Sequence, residues 1–223
     1  MTADVLALFD LDNTLLQHDS DEQWVVFLIE KGELDGETFK RASNELASRY
    51  RRGEADTLEY TEFYLSTLCD RPLGELKALH DRFMDERIRP VVPAATRELV
   101  AHHRNLGHLC VLTTATSRFL TAPIARELGF EHLIATEPEL VDGRYTGRVV
   151  GQPNMREGKV ERLADWLEAR GSTLADFRES WFYSDSQNDL PLLTRVTHPV
   201  AVNPDAVLAA HARHKGWPQI ALA

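Results

Sequence analysis

Residues 5–10, VLALFD, form an unbroken apolar run that ends on an acid. Such a run predicts a short strand covered on both faces. Alternation through the next residues, Asp10-Leu11-Asp12-Asn13-Thr14, puts Asp10 and Asp12 on one side of the backbone and Leu11 on the other. From Ser20 the period changes. SDEQWVVFLIEKG opens on acidic residues, spaces its apolar positions as a helix does and stops at Gly32. Helical spacing then persists to about Arg89, through GETFKRASNELASRYRRG, TLEYTEFYLSTLC and LGELKALHDRFMDERI, with no convincing strand. RPVVP, residues 89–93, closes this block with two prolines.

Beyond it, strands and helices alternate. AATRELVAHHRNLG, RFLTAPIARELGF and EGKVERLADWLEARG read as helices, the second irregular at Pro123. HLCVLTTAT (108–116), HLIAT (132–136), SWFYSD (180–185) and PVAVNP (199–204) read as strands. DGRYTG (142–147) carries an Asp-Gly turn signal and predicts a small hairpin. The fold class is therefore α/β, a Rossmann-like parallel sheet covered by helices on both faces, with a helical insertion of roughly seventy residues after the first strand. Ligands of such sheets bind beyond the carboxyl ends of the strands. Three strands here end on polar groups: Asp10 with Asp12, Thr113 with Thr114, and Asp185.

Composition narrows the function. The 223 residues carry a net charge of −10, which argues against a nucleic-acid-binding surface. No stretch approaches a membrane span, and the start of the chain has no basic and apolar leader, so a cytoplasmic protein is expected. Cys69 and Cys110 lack metal-ligand spacing and read as buried thiols. Trp24, Trp166 and Trp181 read as core anchors, and His102, His103 and His108 as surface or helix-end residues. Four acids, Asp10, Asp12, Asp185 and Asp189, would crowd one end of the sheet. Their mutual repulsion calls for a hard divalent cation, of which Mg2+ is the natural candidate. The alternative, that each acid caps a helix or turn, suffices for Asp189 alone but not for all four together.

DLDNT at 10–14 fits the DxDxT signature of the haloacid dehalogenase superfamily. VLTTAT (111–116), Lys159 in REGKVERL and YSDSQNDLPLL (183–193) resemble its second, third and fourth motifs, in the family's order. The resemblance implies Asp10 as nucleophile and Mg2+ ligand. It implies Asp12 as general acid and base and, through its main-chain carbonyl, as a metal ligand. Thr114 would bind a phosphoryl oxygen, Lys159 would offset charge, and Asp185 would be the remaining metal ligand, with Ser186, Asn188 and Asp189 in support. An acid two residues after the nucleophile marks the phosphotransferring members, so dehalogenation is not expected. Two positions depart from the pattern. Ser184 stands where the fourth motif usually has Gly, and Thr113 competes with Thr114 for the second motif.

Residues 16–90 would be a helical cap over a core made of 1–15 and 91–223, most like the phosphoserine phosphatase branch. There, an acid after the first motif and a cap arginine hold the amino-acid part of the substrate. Asp19 falls near that acid, with His18 beside it, and Arg49, Arg51 or Arg52 would supply the arginine. A capping box at Ser20, Asp21 and Glu22 explains the acidic stretch equally well. The expected activity is hydrolysis of a small soluble phosphomonoester such as phosphoserine or an amino-alcohol phosphate, through an aspartyl-phosphate, by a monomer or homodimer. The alternatives are phosphoryl transfer to an alcohol, or a non-catalytic binding protein that keeps the fold.

Overall fold

The computed structural model describes residues 4–222, apart from the side chain of Arg51. Strand β1 (Val5–Phe9) is followed by helices α1 (Ser20–Glu30), α2 (Gly36–Arg51), α3 (Thr57–Leu65) and α4 (Leu73–Phe83). A π-helical turn, Met84–Ile88, and a 3-10 turn, Arg89–Val91, complete the insertion. Then come α5 (Ala94–Asn105), β2 (Leu109–Ser117), α6 (Arg118–Glu127), β3 (His132–Thr136) and the hairpin β4 (Pro138–Val141) and β5 (Arg144–Val149). Last are α7 (Glu157–Glu168), β6 (Glu179–Ser184), the short α8 (Leu190–Leu193), β7 (His198–Val202), α9 (Ala206–Lys215) and β8 (Gln219–Ile220).

The main sheet has the order β3-β2-β1-β6-β7-β8, with every pairing parallel. From β1 the chain winds outward through β2 and β3, then returns to the other side of β1 as β6, β7 and β8. The reversal opens a crevice beyond the carboxyl ends of β1 and β6, where Asp10 and Asp185 follow their strands. Alternation along β1 feeds two cores. Ala7, Phe9 and Leu11 face one side, with Val100 of α5 and Leu120 and Ile124 of α6. Leu6 and Leu8 face the other, with Leu163 and Leu167 of α7, Leu192 of α8 and Leu208 of α9. Helix α6 continues through Pro123. The DG hairpin forms as expected, with Asp142 and Gly143 both at positive φ, as its two-residue turn requires. Strand β8 has only two residues and escapes any periodicity argument.

The insertion is not uniform. Trp24 and Phe27 of α1, Leu76, Leu79 and Phe83 of α4 and Met84 all belong to the same apolar cluster as Phe9. Helices α2 and α3 instead pack on each other through Phe39 and Phe63, ring centroids 4.6 Å apart, and α3 rests on β5.

Three expectations need correction. His103 is buried, not superficial: with Thr96 and Val100 it forms the inward stripe of α5, and its ring nitrogens meet His108 Nδ1 and Tyr183 Oη, each at 2.8 Å. Trp166 and Trp181 are only partly buried, whereas Trp24 is enclosed and donates to Thr67 Oγ1. Cys69 is half-buried, while Cys110 is buried.

Candidate active site

Asp10 extends β1 by one residue, since its N–H still bonds the Tyr183 carbonyl at 2.9 Å. The chain then turns sharply. Asn13 adopts a left-handed conformation, and the N–H groups of Leu15 and Leu16 both bond the Leu11 carbonyl. This turn swings Thr14 back beneath the two strand ends. Its hydroxyl lies 3.2 Å from Asp10 Oδ2 and 3.0 Å from Asp185 Oδ1, and it accepts the Asp185 N–H at 3.0 Å. A single short side chain thus ties the first motif to the fourth.

Lys159 occupies the first turn of α7. Gly158 lets that turn approach the preceding loop, because a Cβ there would sit 2.3 Å from the Pro153 carbonyl oxygen. The lysine is 2% exposed and donates to Asp10 Oδ1 at 2.9 Å and Asp189 Oδ2 at 2.7 Å. Ser184, in the place where the motif usually has Gly, donates to Asp189 Oδ2 at 2.7 Å. The substitution therefore adds a buried contact and blocks nothing. Asp12 lies opposite. Its carboxylate accepts from Ser20 N–H at 2.8 Å, Thr116 Oγ1 at 2.7 Å and, more distantly, Thr114 Oγ1 at 3.4 Å.

Strand alternation separates the two threonines. Thr114 lines the pocket, while Thr113 points to the other face and accepts from Asn154 Nδ2 at 3.0 Å. Ser186 and Asn188 also line the pocket; the Ser186 hydroxyl caps the turn by accepting the Asn188 N–H. Asn188 Oδ1 in turn accepts from Arg156 Nε at 3.1 Å.

Burial and like charge raise three of the acids at this floor. Burial, with smaller repulsions from Asp189 and Asp12, lifts the Asp10 carboxyl to about 7 despite the pull of Lys159. Burial and the neighbouring Asp19 lift Asp12 to about 6. Burial and the Asp10 charge lift Asp185 to about 8. Burial opposes the charge on Lys159, but Asp10 and Asp189 outweigh it and hold its pKa above the ordinary value. Among the described residues no three His, Cys, Asp or Glu side chains converge as a metal cage. The donors at the crevice are two carboxylates, Asp10 and Asp185, joined through Thr14. So few carboxylates, leaving room for water and phosphate oxygens, suit Mg2+ better than an all-protein cage would.

Above this floor lies a cavity of about 430 Å³. Asp19 and Asp21 form one side, and Ala47, Tyr50, Tyr60, Thr61 and Tyr64 reach it from α2 and α3. Asp19 does two jobs. It is the N-cap of α1, accepting from Glu22 N–H at 2.9 Å, and it lines the pocket. The cap is thus Asp19 and not the expected Ser20, whose N–H is engaged by Asp12. Asp21 meets Thr116 Oγ1 at 3.2 Å, and burial with the adjacent Asp19 and Asp12 charges raises its carboxyl well above the ordinary value.

Two expected substrate contacts are not brought together with the rest. Arg49 points away from the cavity and forks onto Glu59, at 2.5 and 3.1 Å, because the α2–α3 turn places that acid beside it. Arg52 pairs with Glu54 in the same turn, and the Arg51 side chain lies outside the described part. His18 is half-buried beside the Asn13 turn and does not line the cavity. The tyrosines were missed. Their signal was the i, i+4 spacing of Tyr60 and Tyr64, which puts both on one helix face.

The family model described as haloacid dehalogenase-like hydrolase matches residues 7–194. A histidinol-phosphatase of Neisseria meningitidis is 42% identical over 214 residues, covering 96% of each chain. A phosphoserine phosphatase of Mycobacterium tuberculosis is 34% identical over 228 residues, covering 95% of this chain and 68% of its own. Among solved structures, a protein of unknown function from Bordetella pertussis superposes over the full length of both chains, with a TM-score of 0.94 and 48% identity. The chain belongs to the haloacid dehalogenase-like hydrolase family and is an enzyme of its phosphatase class.

Proposed function

We propose that this phosphatase hydrolyses a small amino-alcohol phosphate through an aspartyl-phosphate on Asp10, with Mg2+ as cofactor. The observation that carries the reaction is the placement of one buried carboxylate, Asp10, between Lys159 and Thr14, with Asp12 two residues away on the pocket side. Asp10 attacks phosphorus and Asp12 delivers a proton to the leaving alkoxide. The same Asp12 then takes a proton from the water that cleaves the aspartyl-phosphate. Its raised pKa, about 6, suits a group that must be acid in one step and base in the next. Lys159 and the N-terminus of α7 balance negative charge beside Asp10, and Thr114 offers its hydroxyl to a phosphoryl oxygen. Mg2+ would be held by Asp10, Asp185 and the Asp12 carbonyl, and when bound it supplies the positive charge that lets a phosphate dianion approach a carboxylate.

The organic part of the substrate follows from the side walls. Lys159 is the one cation lining the cavity among the described residues, and it is already held by Asp10 and Asp189. Among the described residues no arginine lines the cavity, while Asp19 and Asp21 offer negative charge to an ammonium group. That favours an amino-alcohol phosphate over phosphoserine. Histidinol phosphate, the substrate that the Neisseria relative's name implies, fits this description. The α2–α3 hairpin would be the lid, on the rigid base of α1 and α4.

Phosphate release from histidinol phosphate, phosphoserine and phosphoethanolamine, each with Mg2+ and with EDTA, tests the reading. Mg2+-dependent release that favours histidinol phosphate is expected. Release undiminished by EDTA would overturn the metal assignment, and a preference for phosphoserine would overturn the substrate.

A further inference from the structure

The roof of the cavity has an organisation that phosphoryl transfer does not require. Tyr50, Tyr60 and Tyr64 line it in sequence, with ring centroids 5.6 Å apart for the first pair and 5.3 Å for the second. The interplanar angles, 48° and 47°, make a faceted wall and not a closed stack. Small residues, Ala47 and Thr61, flank the rings and leave room beneath them. The Tyr50 hydroxyl is shielded from solvent and has no hydrogen-bond partner among the described residues. Asp19 and Asp21 face the same space. Aromatic faces beside carboxylates suit a flat ring that carries or shares positive charge.

We propose that Tyr50, Tyr60 and Tyr64 are specificity residues that receive an imidazole-bearing substrate by packing their rings against its ring. This rests on the amino-alcohol phosphate reading above and adds to it the part of the molecule that distinguishes histidinol phosphate from phosphoethanolamine. Arg156 lies 5.5 Å from the Tyr50 ring centre and donates to Asn188, a contact between this wall and the core.

The test compares kcat/KM for histidinol phosphate and phosphoethanolamine in the wild type, Tyr60→Leu, Tyr64→Leu and Tyr60→Phe. It adds calorimetric binding of histidinol to each. A ring contact of cation–π strength amounts to about a 2- to 30-fold effect. The preference for histidinol phosphate should therefore fall about tenfold in either leucine variant. Tyr60→Phe should keep most of the preference, and histidinol binding should weaken in step. Equal losses on both esters would overturn the proposal and make the tyrosines lid supports. Histidinol binding that is the same in wild type and leucine variants would overturn it even if turnover proved unmeasurable. A wild type that releases no phosphate from any ester with Mg2+ would instead refute the underlying reaction.

Discussion

Replacing Lys159 by Met separates the electrostatic role of this lysine from its volume. The side chain is enclosed and bonded to two buried carboxylates, at 2.9 and 2.7 Å. Methionine fills much of the same space, so the packing loss is small. What remains is the cost of leaving Asp10 and Asp189 without their cation, about 3–5 kcal/mol for a broken buried pair. That cost depends on pH, and the sign follows from Asp10. With Lys159 present, its carboxyl already sits at about 7, above the ordinary 3.8. Removing the lysine's pull raises it further. A carboxyl whose folded pKa lies above its unfolded pKa gives stability that is full below the unfolded value and lost as pH rises through the folded one. Lys159→Met should therefore cost least at pH 4.5 and progressively more as pH rises through about 7, with the full amount reached only above pH 8. Urea unfolding in EDTA at pH 4.5 and pH 8 measures this, with turnover in Mg2+ measured in parallel. Turnover should fall by about 10²- to 10³-fold, the scale of losing one charge-stabilising donor. A destabilisation that is the same at both pH values, or below about 1 kcal/mol at pH 8, would show that the pair is not an uncompensated buried charge system, and the reasoning would fail.

Other outcomes follow from the same geometry. Mg2+ binding should release protons at pH 7, because the Asp185 carboxyl at about 8 must ionise to bind; calorimetry in two buffers of different ionisation enthalpy reads this, and the release should vanish well above pH 8. Thr114→Val should lower kcat/KM about tenfold or more with little change in stability. Thr113→Val should instead change unfolding stability by about 1 kcal/mol or less, since the Asn154 amide keeps the Thr114 and Ile134 carbonyls as acceptors, and should leave turnover nearly intact. His103 is held neutral, near 4, by burial and by His108 and His102, so the unfolded chain takes up its proton first as pH falls. The His103 contribution to stability should therefore decline from about pH 7 towards 4, so the gap in thermal melts between wild type and His103→Phe should narrow as pH falls through that range.

How much of this was legible in the sequence depended on the reach of each interaction. Five strands of the main sheet could be read because a continuous apolar run or a strand-end acid is a local pattern. Strand β8, two residues long, has no pattern to read. Thr114 could be preferred to Thr113 on resemblance alone, but the reason is the pleat: adjacent residues face opposite sides, and only one side is the crevice. His103 was misread although its signal was present. Thr96, Val100 and His103 stand at helical spacing, so the imidazole belonged to the buried stripe and needed the polar partners that it finds in His108 and Tyr183. Its polarity outweighed its position in the reading.

Arg49 shows where the sequence ran out, and why. An arginine in the insertion is free to serve a substrate carboxylate only if nothing nearer claims it. Glu59 is ten residues away in sequence, beyond any helical spacing rule, yet the α2–α3 turn brings it within 2.5 Å. The same turn directs Tyr50 and Tyr60 into the cavity that Arg49 was expected to reach. The core site is set by strand ends, whose positions a motif fixes within a residue. The roof is set by the angle between two helices, and motifs carry no information about that angle. If the proposed roles hold, an exchange of charge for aromatic surface there should alter what the enzyme accepts without touching how it cleaves. On the reading proposed above, this chain's substrate preference is therefore to be sought in α2 and α3 and not in DLDNT.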